Sequence, residues 1–418
     1  MRIQIVTVGT TGSVAPYTGL AHRLAAEGHD VEIATHARFA TMVSCCGLRM
    51  RPMEADPFEA LITAHTRRGE ARGRRPDVPL KTLRSLRQAG EQAALALVDG
   101  ILTAVDPKAD LVLLSTLAAP IGSVVARHHR IPTMGAFLQP DVPSRDFSPC
   151  SMAWRPPGPA NRLRARIANT AFDALYGPAV RAVHGRLGLA PRSSRRLRTE
   201  RERGNWPIWH GYSPSVLPRP ADWRPGSEVA GYWWAHECPH WQPPDLLADF
   251  LAAGPPPVLV GFGSMMPGDP ERLGRLAAGA LRRAKLRGIV QSGWAGLDVI
   301  DDDIITVGAV PHSWLMPRTS VVVHHAGAGT TAAGLRAGVP AVPVPVMTDQ
   351  PWWAARLVGL GVSVRALPYA ELTEIRLADA LTAATQSEAL RRNAAAVARE
   401  LAREDGAGAV ADALARRA

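Results

Sequence analysis

The sequence predicts an α/β protein organised as two parallel-sheet halves. Residues 1–137 contain strand–loop–helix–strand units with unbroken apolar strands, and residues 258–338 contain a second series of the same kind. A Trp- and Pro-rich stretch without periodicity separates them. A length of 418 residues fits two or three domains, and 46% hydrophobic with 20% charged residues excludes wholesale disorder.

In the first unit, residues 3–8 are a continuous β-rich run followed by the loop Gly9-Thr10-Thr11-Gly12-Ser13. A helix comes next, with Leu20, Leu24 and Ala25 on one face and Gly28 at its end; 31–34 is the following strand. Further on, strands at 111–114 and 132–137 flank a helix at 121–128. The Arg-rich segment 64–88 reads as a solvated loop leading into a surface helix, or else as a flap or a contact with a membrane surface. Residues 140–160, rich in Pro and Ser, read as a long loop of the kind that borders binding sites.

The composition changes at 206–244, which is dense in Trp and Pro and reads as a connection between domains. The second series opens with a strand at 258–262 ending at Gly263-Ser264, then a helix at 270–284 and strands at 289–291, 304–307 and 320–324. The last strand runs into Ala326-Gly327-Ala328-Gly329-Thr330-Thr331 and a helix through Leu335-Arg336-Ala337 that Gly338 stops. Residues 388–403 make an amphipathic, Ala/Arg-rich terminal helix. The predicted division is a Rossmann-like domain at 1–212, a linker at 213–244, a second Rossmann-like domain at 245–390 and a C-terminal helix at 391–418 packing back on the first domain.

Lysine and arginine number 48 against 37 aspartates and glutamates, a net charge of +11. Lys stands only at 81, 108 and 285, so the basic balance is an Arg-rich compositional bias and no sign of nucleic-acid binding. A basic chain is still drawn to nucleotides or to an anionic membrane surface. Cys45, Cys46, Cys150 and Cys238 are too few for a disulfide scaffold and contain no CxxC pair for zinc. The first apolar run is too short for a signal peptide, and no stretch of about 18 uncharged apolar residues occurs. The expectation is therefore a cytoplasmic chain without a transmembrane segment, its oligomeric state left open.

Ligands of open parallel sheets bind beyond the carboxyl ends of the strands, where loops enter helices. Three glycine-bearing loops lie there: 9–13, 263–266 and 326–331. Helix N-termini offer unpaired N–H groups and partial positive charge, and glycine lets the backbone approach a phosphate. The loop at 326–331 adds His324 and His325 before it and two threonine hydroxyls after it, a set suited to a diphosphate held without metal. A strand–helix turn using glycine for packing alone is the competing reading.

Three segments narrow the choice: Val310-Pro311-His312-Ser313-Trp314-Leu315, then His324-His325-Ala326-Gly327-Ala328-Gly329-Thr330-Thr331-Ala332-Ala333-Gly334, then Asp349-Gln350-Pro351. Together they resemble the donor-binding signature of UDP-glycosyltransferases, nearest to the sterol glucosyltransferases and the bacterial antibiotic glycosyltransferases. Supporting stretches are Gly261-Phe262-Gly263-Ser264-Met265, Ser292-Gly293-Trp294-Ala295-Gly296-Leu297 and Gly211-Tyr212-Ser213-Pro214. The resemblance covers nearly the whole chain and is strongest over 206–365. It implies the GT-B fold, two facing Rossmann-like domains with the C-terminal helix crossing back to the first. It further implies that Ser264, His325 and the amides of Gly327, Ala328, Gly329 and Thr330 hold a donor diphosphate. The backbone of Val310 would meet the nucleobase, with Trp294 nearby, and Asp349 and Gln350 would bond sugar hydroxyls. Without the resemblance, Asp349-Gln350 reads as a capping or turn pair.

The departure from the family lies in the first loop. The related pattern is Gly-Ser-Arg-Gly-Asp-x-x-Pro, or has His in place of that Asp; here it is Gly9-Thr10-Thr11-Gly12-Ser13-Val14-Ala15-Pro16. Ser13 thus occupies the position of the usual general base, and a serine hydroxyl takes up no proton at neutral pH. Three explanations follow. Another group in the first domain serves, with Asp141, Asp56, Asp146 or His36 available from their loops; or the acceptor needs no base; or the protein binds a nucleotide sugar without turning it over well.

Two motif matches are rejected. His236-Glu237-Cys238-Pro239-His240 satisfies HExxH, but that zinc site needs both His on one helical face, which Pro239 breaks. Asp301-Asp302-Asp303 satisfies DxD but reads as a solvated acidic turn, and His128-His129 as a helix terminus. No metal site and no cofactor are expected. The sequence thus points to an inverting, metal-independent glycosyltransferase taking UDP- or dTDP-sugar and a bulky apolar acceptor. A catalytically weak nucleotide-sugar-binding auxiliary of another enzyme is the alternative, and a sugar-nucleotide epimerase a third.

Overall fold

The computed structural model describes residues 1–58, 80–263, 270–293 and 301–416. The first sheet has seven strands: β1 (Arg2–Val6), β2 (Asp30–His36), β3 (Arg49–Met53), β4 (Leu111–Leu114), β5 (Thr133–Phe137), β6 (Ile208–His210) and β7 (Ser227–Val229). Their order is β3-β2-β1-β4-β5-β6-β7, and every pairing is parallel. Helices α1 (Thr11–Ala26), α2 (Ala40–Cys45), α3 (Leu80–Ala104), α4 (Ala119–His128), α5 (Pro159–Arg186) and α6 (Ser194–Arg203) belong to this half.

The second half begins with α7 (Asp245–Ala252). Its sheet comprises β8 (Val258–Gly261), β9 (Gly288–Gln291), β10 (Ile304–Val307), β11 (Val321–His324) and β12 (Ala341–Pro343), in the parallel order β10-β9-β8-β11-β12. Helices α8 (Pro270–Ala284), α9 (His312–Leu315), α10 (Ala328–Ala337), α11 (Gln350–Gly359), α12 (Glu374–Gln386) and α13 (Glu388–Leu401) complete it, and α14 (Gly406–Ala415) returns to the first half. Strands β4, β8, β9 and β11 are buried along their whole length, which is why they read as unbroken apolar runs. In both sheets the strand order reverses beside the first strand of the half, so the crevices lie at β1/β4 and β8/β11.

Three differences from the sequence reading have physical causes. Residues 227–229, inside the stretch assigned to the linker, are β7, the edge of the first sheet; a three-residue strand is too short to show alternation. The segment 391–418 is not one helix. The end of α13 packs with the second half, and a new helix, α14, starts where the Asp405 carboxylate caps the Gly408 N–H at 2.8 Å and packs on α1. Cys45 and Cys238 form one disulfide, tying α2 to the chain after β7. Residues 236–240 are not helical, so His236 and His240 share no helical face, and Asp301 turns back to pair with Ile304.

The halves are joined by a shared apolar cluster. Phe147, Cys150, Tyr212 and Trp223 of the first side pack with Leu335, Trp352 and Trp353 of the second. Trp352 Nε1 donates to the Ser148 carbonyl at 2.8 Å, and Arg356 Nε to the Val216 carbonyl at 2.6 Å. On the far side, Gly19 of α1 lies so close to the connection after β7 that a Cβ there would collide with the Trp234 carbonyl oxygen.

Candidate active site

The crevices of the two sheets face each other. Both α1 and α10 start at this cleft, and neither N-terminus is capped by a side chain. They approach closely enough that a Cβ on Gly329 would lie 3.8 Å from Gly12 Cα. First-turn N–H groups have no intrahelical partner, so Thr11-Gly12 on one side and Ala328-Gly329-Thr330 on the other present amides and partial positive charge to the space between.

On the second side, Gly327 is the residue preceding α10, and a Cβ on it would collide with His325 Nε2. A Cβ on Gly263, in the loop after β8, would stand 3.1 Å from His325 Cε1. The imidazole therefore lies between two strand-end loops, its Nδ1 without a hydrogen-bond partner among the described residues. Burial pushes its pKa down to about 4, and His312 acts in the same direction. Without a bound anion, burial therefore favours the neutral imidazole. The adjacent His324 points inward, accepting the Ala326 N–H at 3.1 Å.

Asp349 stands just before α11, on the same rim. Its Oδ1 accepts from Thr348 Oγ1 at 2.9 Å, and its Oδ2 from Gln139 Nε2 of the first half at 2.7 Å. Burial raises its carboxyl above the ordinary range, with these hydrogen bonds opposing. Gln350 is largely committed: its Oε1 accepts the N–H groups of Val346 at 2.8 Å and Met347 at 3.1 Å, which leaves only its amide N–H for a ligand. Val310 is buried and its carbonyl accepts from Gln291 Nε2 at 3.5 Å. Ser264 and Trp294 lie outside the described residues, as do residues 64–79 of the Arg-rich segment.

On the first side, the Gly9 N–H donates to His36 Nε2 at 3.1 Å, while His36 Nδ1 pairs with the Ala55 carbonyl at 2.8 Å. Both ring nitrogens of His36 are therefore used. Asp56 is held by Arg38 at 2.7 Å, and Asp146 is exposed on its loop. Ser13 sits in the first turn of α1, its N–H on the Thr10 carbonyl at 2.8 Å and its carbonyl accepting from Thr7 Oγ1 at 2.8 Å. Asp141, after β5, accepts from Thr116 Oγ1 of the loop after β4 at 2.7 Å. Burial pushes its pKa up to about 6 despite that hydrogen bond, and the charge of Asp349 adds to the rise. Gln139 was not singled out by the sequence; its position at a strand's carboxyl end, two residues before Asp141, was the available signal.

Among known proteins, residues 3–146 match the glycosyltransferase family 28 N-terminal domain, and residues 289–416 the erythromycin biosynthesis protein CIII-like C-terminal domain. Over 415 residues the chain is 32% identical to the O-mycaminosyltylonolide 6-deoxyallosyltransferase of Streptomyces fradiae, covering 97% of this chain and 95% of that one. It is 31% identical over 424 residues to a sterol 3-beta-glucosyltransferase of Arabidopsis thaliana, covering 98% of this chain and spanning 64% of that relative's length. Among solved structures, the glycosyltransferase SnogD from Streptomyces nogalater has a TM-score of 0.65 at 21% identity, covering 100% of this chain and 99% of that one. A Streptomyces sp. SF2575 glycosyltransferase complexed with thymidine diphosphate has a TM-score of 0.61 at 22% identity, covering 100% and 99%. The fold is GT-B, and the chain belongs to the sugar-nucleotide-dependent glycosyltransferase family that includes the sterol glucosyltransferases and the antibiotic glycosyltransferases. Among the described residues, no helix is long and apolar enough to cross a membrane.

Proposed function

We propose that the protein is an inverting, metal-independent glycosyltransferase that moves a sugar from a UDP- or dTDP-sugar to a hydroxyl of a bulky apolar acceptor. One observation carries this: the uncapped start of α10 lies beside the unpartnered His325 nitrogen, with the Asp349 carboxylate on the same rim. Amides and helix-terminal charge are the groups that stabilise a diphosphate as it leaves, so no cation is required for that step. A carboxylate that accepts sugar hydroxyls is a strong, orienting contact. The acceptor would lie across the cleft, on the first half, and direct attack from that side on the anomeric carbon gives inversion. Relatives named for sterol and tylonolide acceptors favour a large apolar acceptor, and the thymidine diphosphate complex of a structural neighbour favours a pyrimidine nucleotide.

A peripheral membrane contact would fit such an acceptor. Leu163 and Ile167 are 60% and 55% exposed one turn apart near the start of α5. The auxiliary-protein reading is kept alive by Ser13 alone. Purified protein incubated with UDP-glucose or a dTDP-deoxysugar and a sterol and macrolactone panel is expected to give a glycoside of inverted configuration by NMR, with EDTA present. Turnover without a partner protein eliminates the auxiliary reading; turnover that requires added divalent metal, or none with any pair, overturns the proposal.

A further inference from the structure

The attacking hydroxyl must lose a proton, and position 13 offers only a serine. Of the other ionisable groups on the first side, His36 uses both ring nitrogens and Asp56 is held by Arg38. Asp141 differs from both. It sits just beyond the carboxyl end of β5, one strand from the crevice where the strand order reverses, and is half-buried. Thr116 fixes its Oδ2, while its Oδ1 takes no hydrogen bond from the described residues. The Asp141 N–H donates to the Gln139 carbonyl at 2.9 Å, and the Gln139 side chain reaches Asp349. One short turn therefore places a carboxylate of the first half opposite the carboxylate assigned to the donor sugar.

Resting on the transferase reading above, we propose that Asp141 is the acceptor base of this chain, with Thr116 as its positioning residue. As the acceptor oxygen attacks the anomeric carbon, its O–H proton passes to the Asp141 carboxylate. The new glycosidic C–O bond forms, and the bond from the anomeric carbon to phosphate breaks with its electron pair leaving on the nucleoside diphosphate. Asp141 then returns its proton to water. The titratable groups facing Asp141 are Asp349 before α11, Tyr17 of α1, Tyr212 after β6 and Cys150 of the loop after β5. Tyr17, Tyr212 and Cys150 stay neutral, so burial and the one charged neighbour, Asp349, are what favour the protonated form of Asp141. The resulting value of about 6 leaves the group ionised above neutrality yet basic enough to act.

The test compares wild type with D141N, T116V, S13D and D141N/S13D. Turnover of D141N should fall about 10²–10⁴-fold while its affinity for the free nucleoside diphosphate, by calorimetry, stays within about twofold. The wild-type rate should drop below a pH near 6, and D141N should lose this acid limb. T116V removes a hydrogen bond to the charged form, so its limb should move to higher pH with the alkaline rate largely kept. D141N/S13D should recover at least tenfold over D141N, because it restores a carboxylate at the usual position. Unchanged turnover in D141N, or a loss matched by equal loss of nucleotide affinity, overturns the assignment while leaving the transferase reading intact. A wild-type protein without turnover overturns both.

Discussion

His325 is a buried ring between two strand-end loops, where the proposed function puts an anion. Burial gives it a pKa of about 4, so between that value and the ordinary value near 6.5 the unfolded chain binds a proton that the native ring refuses. Its contribution to stability is complete above about 6.5 and is lost as the pH falls toward 4. A bound diphosphate reverses the balance, because negative charge beside the ring favours the protonated form. Nucleoside diphosphate binding at pH 6 is therefore expected to take up protons, which calorimetry in buffers of different ionisation enthalpy measures directly. In H325A this uptake should vanish and the affinity should fall about tenfold, the scale of one charge-assisted hydrogen bond. G327A keeps the imidazole but drives a Cβ into Nε2, and should produce the same two losses. Retention of either affinity or proton uptake in both variants would remove His325 from the site.

At the scale of elements, α5 is the least conventional. It runs from Pro159 to Arg186 with Pro178 inside it, and its outer face carries exposed Leu163, Arg166 and Ile167. Two large apolar side chains beside Arg suit an anionic bilayer, where apolar burial and lipid charge act together. The helix starts where the loop after β5 ends, and Trp154 of that loop packs edge-on against Trp352 at 4.7 Å. Sedimentation with phosphatidylglycerol vesicles should retain wild type and lose L163E/I167E several-fold, with little retention of either on phosphatidylcholine. Equal retention of the double variant would place any membrane contact elsewhere. Neither α5 nor α6 was foreseen, because their Arg-rich sequences lack a clean apolar stripe. Strand β3 was missed for a related reason: Arg-Met-Arg-Pro-Met at a sheet edge does not look like a buried run. By contrast, β4 and β11 announce themselves, since burial on both faces demands unbroken apolar residues. In the site, loops 9–13 and 326–331 were legible from glycine and motif. The pairs Gln139–Asp349 and Thr116–Asp141 were not, because they join loops 210 and 25 residues apart in sequence.

At the scale of the whole molecule, the two sheets are bound into one unit by side chains that neither half could bury alone. Trp352 is fully buried at that seam, packed edge-on against Phe147 at 5.8 Å and Trp154 at 4.7 Å while bonded to the Ser148 carbonyl. The return of the chain adds a second tie: Arg23 of α1 pairs with Asp405 at 2.6 Å, and Trp233 Nε1 donates to the Gly406 carbonyl at 3.2 Å. Wild type should therefore unfold in one calorimetric transition, and a nucleoside diphosphate, although proposed to bind the second half, should raise the midpoint of the whole. W352A removes the central ring at a cost of about 3–5 kcal/mol and leaves a cavity at the seam. The expected outcome is two transitions, of which the ligand raises only one. A single, ligand-responsive transition in W352A would show that the returning chain, through α14, couples the halves without the tryptophan.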